Sequence, residues 1–167
     1  MVPASRVERG PRRTRLTSET YRPLSSILTT AMEARSVWKG GFEAQLEDGR
    51  GHTVTIDEPI EDGGTNKGTS AHELLLLSLT GCISTIFHII ANKRKLDFEG
   101  LNVVLKAERA RGVSTIQRVY GTVEVRTRAP PEEVETILRL TVKTCPVGSL
   151  FERAHVPVEV TAKVVPP

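Results

Sequence analysis

The chain has little cysteine and few aromatic residues. Only two of its 167 residues are cysteine, and aromatic residues make up 4%. Two cysteines are too few for a disulfide scaffold, and their separation matches no zinc-ligand spacing. We therefore expect no metal and a reducing, cytoplasmic setting. Residue chemistry alone leaves two interpretations of Cys82 and Cys145: each is a small buried hydrophobe, or the two meet as a reactive thiol pair.

The chain also lacks a strong excess of charge of either sign. Its net charge is +3, and much of the basic excess lies before residue 16. A basic segment of this kind can contact nucleic acid or anionic lipid. Its composition instead favours a flexible extension over residues 1–31, without a nucleic-acid partner. The remaining length, residues 32–167, is enough for one domain with a proper core.

One long apolar run, Leu74 to Ile90, is the main hydrophobic feature. Ser70 and Glu73 form a capping-box pattern that predicts a helix from Ala71, ending between Asn92 and Lys95. The run contains serine, threonine and histidine, so we expect a buried core helix and no membrane span. A helix that is apolar nearly all round must be enclosed by protein, and an intimate dimer would enclose it easily.

Alternation of apolar and polar residues predicts strands on both sides of this helix. Residues 42–47 and 54–56 predict a hairpin that turns at Asp48-Gly49, with Val37 and Trp38 in its first strand or in one before it. Trp38 and Phe42 are expected in the core.

Further strands are predicted over residues 101–107, 113–125 and 156–164. A second helix is predicted to begin at the Pro130-Pro131 pair, and Pro157 suggests that the last strand lies at a sheet edge. The order of elements indicates an α+β fold with a mostly antiparallel sheet.

The two cysteines differ in their predicted local chemistry. Cys145 would lie at a helix N-terminus if Pro146 begins a helix, where free N–H groups favour a thiolate. Cys82 lies in mid-helix and lacks that help. His72 is the better-placed titratable neighbour on the same helix, although it lies roughly 15 Å along the axis. Glu73 is about 180° around the helix from Cys82.

Several segments together resemble the OsmC/Ohr superfamily of hydroperoxide-detoxifying proteins. The resemblance covers about residues 35–165. It is carried by Asp57-Glu58-Pro59, by the Gly-rich loop and Leu-rich helix start from Gly63 to Leu76, by Gly81-Cys82, by Lys95 to Leu101, and by Thr144-Cys145-Pro146-Val147.

The resemblance implies an OsmC-like fold in an intertwined homodimer, in which sheets wrap two long central helices. It also implies that Cys82 is the peroxidatic cysteine and Cys145 the resolving one. On this analogy the protein reduces organic hydroperoxides without a cofactor, and an external dithiol reduces the resulting disulfide. His72 and Glu73 are accessory candidates.

Three positions depart from the pattern of the family's peroxidases. His72 stands where those proteins carry a glutamate, and Phe42 or Glu43 stands where their first hairpin carries an activating arginine. Gly148 replaces the serine of the second-cysteine motif. These differences keep a second hypothesis open, that of a redox sensor or small-molecule binding dimer on the same fold.

Overall fold

Three strands, a long helix, two strands, two helices and a final strand follow one another along the chain. The computed structural model describes residues 31–110 and 112–167, so the predicted extension over residues 1–31 lies almost wholly outside the described residues. The elements are β1 (Arg35–Gly40), β2 (Glu43–Glu47), β3 (Thr53–Ile56), α1 (Ala71–Arg94), β4 (Gly100–Glu108), β5 (Arg118–Arg126), α2 (Pro131–Thr144), α3 (Pro146–Arg153) and β6 (Val158–Val165).

Helix α1 begins and ends where the sequence predicts. The Ser70 hydroxyl accepts a hydrogen bond from the Glu73 amide, and the Glu73 carboxylate accepts one from the Ser70 amide at 2.8 Å. Lys95 ends the helix in the left-handed conformation at φ 59°. Among the described residues, α1 alone is long and apolar enough to cross a membrane by length and composition. A core helix of a soluble protein meets the same criterion.

The strands form two three-stranded sheets. In the first, β1, β2 and β3 pair antiparallel in chain order. In the second, β4 pairs antiparallel with β5, and β5 pairs parallel with β6. The mixed α+β architecture is confirmed, and β6 lies at an edge as Pro157 indicated. Strand β5 begins at Arg118, later than predicted, because the preceding segment forms a loop that buries Ile116 in the core.

The core lies between the second sheet and the helices. Leu79, Ile83, Phe87 and Ala91 recur every fourth residue, so they share the one face of α1 that is fully buried. Val119, Val123 and Val125 of β5 and Val134 and Ile137 of α2 are also fully buried in this cluster. Elsewhere on its surface, α1 carries exposed leucine and isoleucine side chains at Leu75, Leu77 and Ile89.

The first sheet makes little contact with the helices, and this overturns one expectation. Trp38 is 72% exposed and Phe42 is 56% exposed, although both were predicted to be core residues. Phe42 lies in the β1–β2 turn, and the Trp38 indole N–H donates to the Gly41 carbonyl at 2.9 Å. The apolar pattern was recognised correctly, but within the described chain no helix packs over these side chains.

Candidate active site

The fold brings the two cysteines together. Cys82 lies in the middle of α1, Cys145 lies between α2 and α3, and their sulfur atoms are 2.7 Å apart. A disulfide bond is about 2.05 Å long, so only a small closure separates these free thiols from a covalent bridge. They are 63 positions apart in the sequence. The packing of α1 against α2 and α3 creates this contact.

Local structure fixes Cys145 more firmly than Cys82. Pro146 occupies the first turn of α3, and Cys145 is the N-cap residue of that helix. The Gly148 amide donates to the Cys145 sulfur at 3.3 Å. Cys145 is 1% exposed, whereas Cys82 is only partly buried. Within a single chain, Cys82 is therefore the more exposed of the two residues.

Burial also affects the protonation of Cys145. Burial, followed by the hydrogen bond with Cys82, raises the pKa of Cys145 to about 11, and the Gly148 and Val147 amides oppose this shift only in part. At neutral pH Cys145 is consequently a protonated thiol. It can donate that proton to a leaving group when it attacks an oxidised sulfur.

His72 contacts the β4–β5 connection instead of the cysteines. Its Nε2 atom lies 3.0 Å from the Ser114 carbonyl oxygen, which ties the start of α1 to the loop before β5. The rise of an α-helix separates His72 from Cys82 by roughly 15 Å along the axis. The structure therefore does not bring this predicted accessory residue to the thiol pair.

The Glu73 carboxylate accepts its hydrogen bonds from the two residues just before α1. Its Oε2 atom accepts from the Ser70 amide at 2.8 Å, the Ser70 hydroxyl at 3.0 Å and the Thr69 hydroxyl at 3.3 Å. The Ser70 backbone amide is the main cause of the lowered pKa of Glu73. This charged cap completes the first turn of α1 and does not reach Cys82.

Asp57 is a structural residue whose role sequence reasoning missed. It is 2% exposed and accepts hydrogen bonds from the Thr65 hydroxyl at 2.6 Å and from three backbone amides, those of Glu58, Thr65 and Lys67. The Thr65 hydroxyl is the main cause of a pKa for Asp57 of about 2. An acid just before a Gly-rich loop was the signal, because such a loop offers many free amides.

Among the described residues, no cationic side chain hydrogen-bonds to the Cys82 sulfur. Within residues 31–110 and 112–167, the only hydrogen-bond partner of the Cys82 sulfur is Cys145. At the first hairpin, Glu43 forms an ion pair with Lys67 at 2.8 Å. The described residues also contain no group of three or more His, Cys, Asp or Glu side chains that could hold a metal ion.

A cavity of about 900 Å³ lies beside the thiol pair, between α2, α3 and β6. Its walls include Leu138, Val142, Val158 and Val160, with Gly148 at the side nearest Cys145. Cys145 itself is not among the lining residues. The cavity is therefore adjacent to the site but does not open onto either sulfur.

Solved structures of similar fold place this arrangement among known proteins. An OsmC-like protein from Mycoplasma pneumoniae has a TM-score of 0.73 at 15% identity, over 81% of this chain and 98% of its own. A Legionella pneumophila structure described as an organic hydroperoxide resistance protein OsmC has a TM-score of 0.68 at 19% identity, over 82% and 98%. A Vibrio cholerae OsmC-like protein of unknown function has a TM-score of 0.69 at 13% identity, over 80% and 99%.

Sequence comparison gives the family. No curated protein matches the chain. The family model described as OsmC-like protein matches residues 64–161, a segment that contains α1, both cysteines and the second sheet up to β6. With this match over more than half of its length, the chain belongs to the OsmC-like protein family.

Proposed function

We propose that this protein reduces organic hydroperoxides to alcohols through Cys82 and Cys145. The 2.7 Å separation of the two sulfur atoms is the observation that carries the proposal. A partly exposed thiol beside a buried one suits a peroxidatic and a resolving cysteine in that order. The family includes structures described as organic hydroperoxide resistance proteins, which supports the same substrate class.

The proposed chemistry has two oxidative steps. The Cys82 thiolate attacks one oxygen of the hydroperoxide, the O–O bond breaks, and the alcohol leaves with a proton while Cys82 becomes a sulfenic acid. The Cys145 sulfur then attacks the Cys82 sulfur, an S–S bond forms, and the sulfenic hydroxyl leaves as water with the Cys145 proton. An external dithiol supplies two electrons and restores both thiols. No metal or cofactor takes part in this proposal.

A redox sensor or small-molecule binding dimer is the second candidate function. It is favoured by the absence of any charged partner for Cys82 among the described residues, since a nucleophilic cysteine normally has a cation or base nearby. In that case the thiol pair would still form a disulfide. It would not turn over with a reductant at a useful rate.

The proposed assembly is a homodimer in the cytoplasm. Among the described residues, large apolar side chains are exposed along α1 and on the face of the first sheet that carries Trp38. Monomeric proteins rarely expose large contiguous apolar patches. A second copy whose first sheet covers α1 would bury both surfaces at once.

The test of the proposed function is turnover of cumene hydroperoxide with dithiothreitol. We expect Cys82→Ser to lose all activity while remaining folded by circular dichroism. Cys145→Ser should still react once with hydroperoxide, giving a sulfenic acid that dimedone traps. Ser84→Ala serves as the control and should keep wild-type activity, because Ser84 lies about 200° around α1 from Cys82 and its hydroxyl donates to the Thr80 carbonyl.

Two results would separate the candidate functions. Full activity in Cys82→Ser would overturn the peroxidase proposal. A wild-type protein that forms the disulfide with one equivalent of hydroperoxide, but does not turn over with excess dithiol, would instead support the sensor.

A further inference from the structure

We propose that the cavity between α2, α3 and β6 binds a straight-chain carboxylate, such as a medium-chain fatty acid. The hydrocarbon tail lies on the aliphatic floor of the cavity, and the carboxylate lies beside Lys143 and Arg139. The cavity volume of about 900 Å³ is within the range of about 300–1,000 Å³ that small-molecule sites occupy. This site is separate from the thiol pair, so the proposal goes beyond the peroxidase cycle and does not depend on it.

The cavity lies at the edge of the second sheet that is farther from α1. The strand order of this sheet is β4-β5-β6, and α1 packs on β4 whereas α2 packs on β6. Among the described residues that line the cavity, none belongs to α1 or to the first sheet. A second copy that covers α1 and the first sheet therefore makes that contact without using this cavity.

The floor of the cavity is aliphatic because α2 and β6 turn the same kind of side chain towards it. Residues alternate along a strand, so Val158, Val160 and Ala162 share the face of β6 that lines the cavity. Helix α2 contributes Leu138 and Val142, which are one turn apart. Leu138 is buried, but the other four side chains are only half-buried. This strip can receive a hydrocarbon chain, and each methylene buried there tightens binding by roughly fourfold.

Two cationic side chains of α2 also face the cavity. Arg139 and Lys143 are four residues apart, so they lie one turn apart on the same side of the helix. Like charges at this spacing repel each other, and the ion pairs formed among the described residues include neither side chain. A bound carboxylate would remove this repulsion and accept charge-assisted hydrogen bonds from both.

Two acidic residues line the cavity as well, and they limit where an anion can bind. Glu135 lies one turn before Arg139 on α2, and Glu152 lies on α3, three residues before His155. Glu135 can approach Arg139 in the empty cavity, because a glutamate four residues before a cation is a favourable arrangement. Lys143 has no acidic residue three or four positions away on either side. The carboxylate is therefore assigned to the part of the cavity beside Lys143.

Calorimetric titration of the full chain with decanoate tests the proposal, and decanol is the uncharged probe of the same length. We expect saturable binding of one decanoate per chain, about tenfold tighter than decanol. Octanoate, which buries two fewer methylenes, should bind roughly tenfold more weakly than decanoate. Lys143→Gln should weaken decanoate binding by about tenfold. Arg153→Gln is the matched control and should leave the affinity unchanged, because Arg153 is an exposed cation of α3 outside the cavity lining.

Amide NMR locates the bound probe. Decanoate should shift the signals of Gly148 and of residues 158–162, which line the cavity or lie within its β6 wall, and should leave those of residues 78–85 in α1 unchanged. Shifts confined to α1 would overturn the proposal, as would absence of binding, equal affinity for decanol, or unchanged affinity in Lys143→Gln. Neither measurement uses a hydroperoxide, so loss of peroxidase activity would not affect the result.

Discussion

At the scale of single residues, Asp57 shows how one buried carboxylate can organise a loop. Three amides and one hydroxyl converge on it from the segment that leads into α1. Gly64 and Gly68 allow the close approach, because a Cβ at either position would collide with backbone atoms, at Glu58 and Thr55 respectively. The Gly-rich motif thus has a steric reason: the loop folds tightly onto the end of β3.

The first prediction concerns Asp57→Asn and pH. The pKa of Asp57 is lowered from 3.8 to about 2, so its contribution to folding stability is present above pH 4 and is lost as pH falls towards 2. Urea unfolding of the wild type should therefore show falling stability across that window. Asp57→Asn should be less stable at pH 7 and should lose less stability on acidification. Parallel pH profiles for the two proteins would contradict this role.

Helix α1 begins sharply because its first turn is capped on both sides, and this gives the second prediction. Ser70→Ala removes the side chain that accepts from the Glu73 amide, so the free energy of unfolding should fall by about 1 kcal/mol. Ser84→Ala is a matched control, because Ser84 lies within the same helix and only donates to the Thr80 carbonyl. Chemical denaturation measures both. If both variants lose the same free energy of unfolding, the cap does not stabilise the helix in the way proposed.

A covalent link between α1 and the start of α3 gives the third prediction. Oxidation of Cys82 and Cys145 would close a loop between positions 63 apart, and the loss of chain entropy in the unfolded state is worth up to about 4 kcal/mol. The disulfide form of the wild type should therefore resist urea better than the dithiol form. Cys145→Ser supplies the control and should be insensitive to diamide. A disulfide form less stable than the dithiol would mean that the bridge strains the contact between the helices.

At the scale of the whole molecule, the exposed apolar surfaces are the feature that a single chain leaves unexplained. The surface of α1 and one face of the first sheet carry Leu77, Ile89, Trp38 and Val54 at 40% exposure or more. Surface of this kind is typical of an obligate interface. The proposed homodimer accounts for both surfaces with one contact.

The fourth prediction uses Gly81 to test that assembly. A Cβ at Gly81 meets nothing within 4 Å in the single chain, and leucine is a better helix former than glycine. Gly81→Leu should therefore leave the fold of each chain intact while it obstructs a partner that packs on α1. Sedimentation should show a shift from dimer to monomer. A dimer of unchanged stability would place the interface elsewhere.

Much of the fold could be predicted from the sequence because its signals are local. The Ser70–Glu73 capping box fixed the start of α1, and strict alternation marked β4, β5 and β6. The exposed positions of Trp38 and Phe42 could not be predicted in this way. Periodicity shows that a side chain prefers burial, but it does not show whether residues of the same chain or of another chain bury it.

The sequence by itself determined the boundaries of α1, the start of α2, the approximate positions of the strands and the family resemblance, since these depend on neighbours a few residues apart. The tertiary structure decided the relation of the functional candidates. It placed the sulfurs of Cys82 and Cys145 2.7 Å apart, and it gave His72 and Glu73 other partners. The physical reason is that contact between residues 63 positions apart depends on how α1, α2 and α3 pack, and no local pattern in the chain encodes that distance.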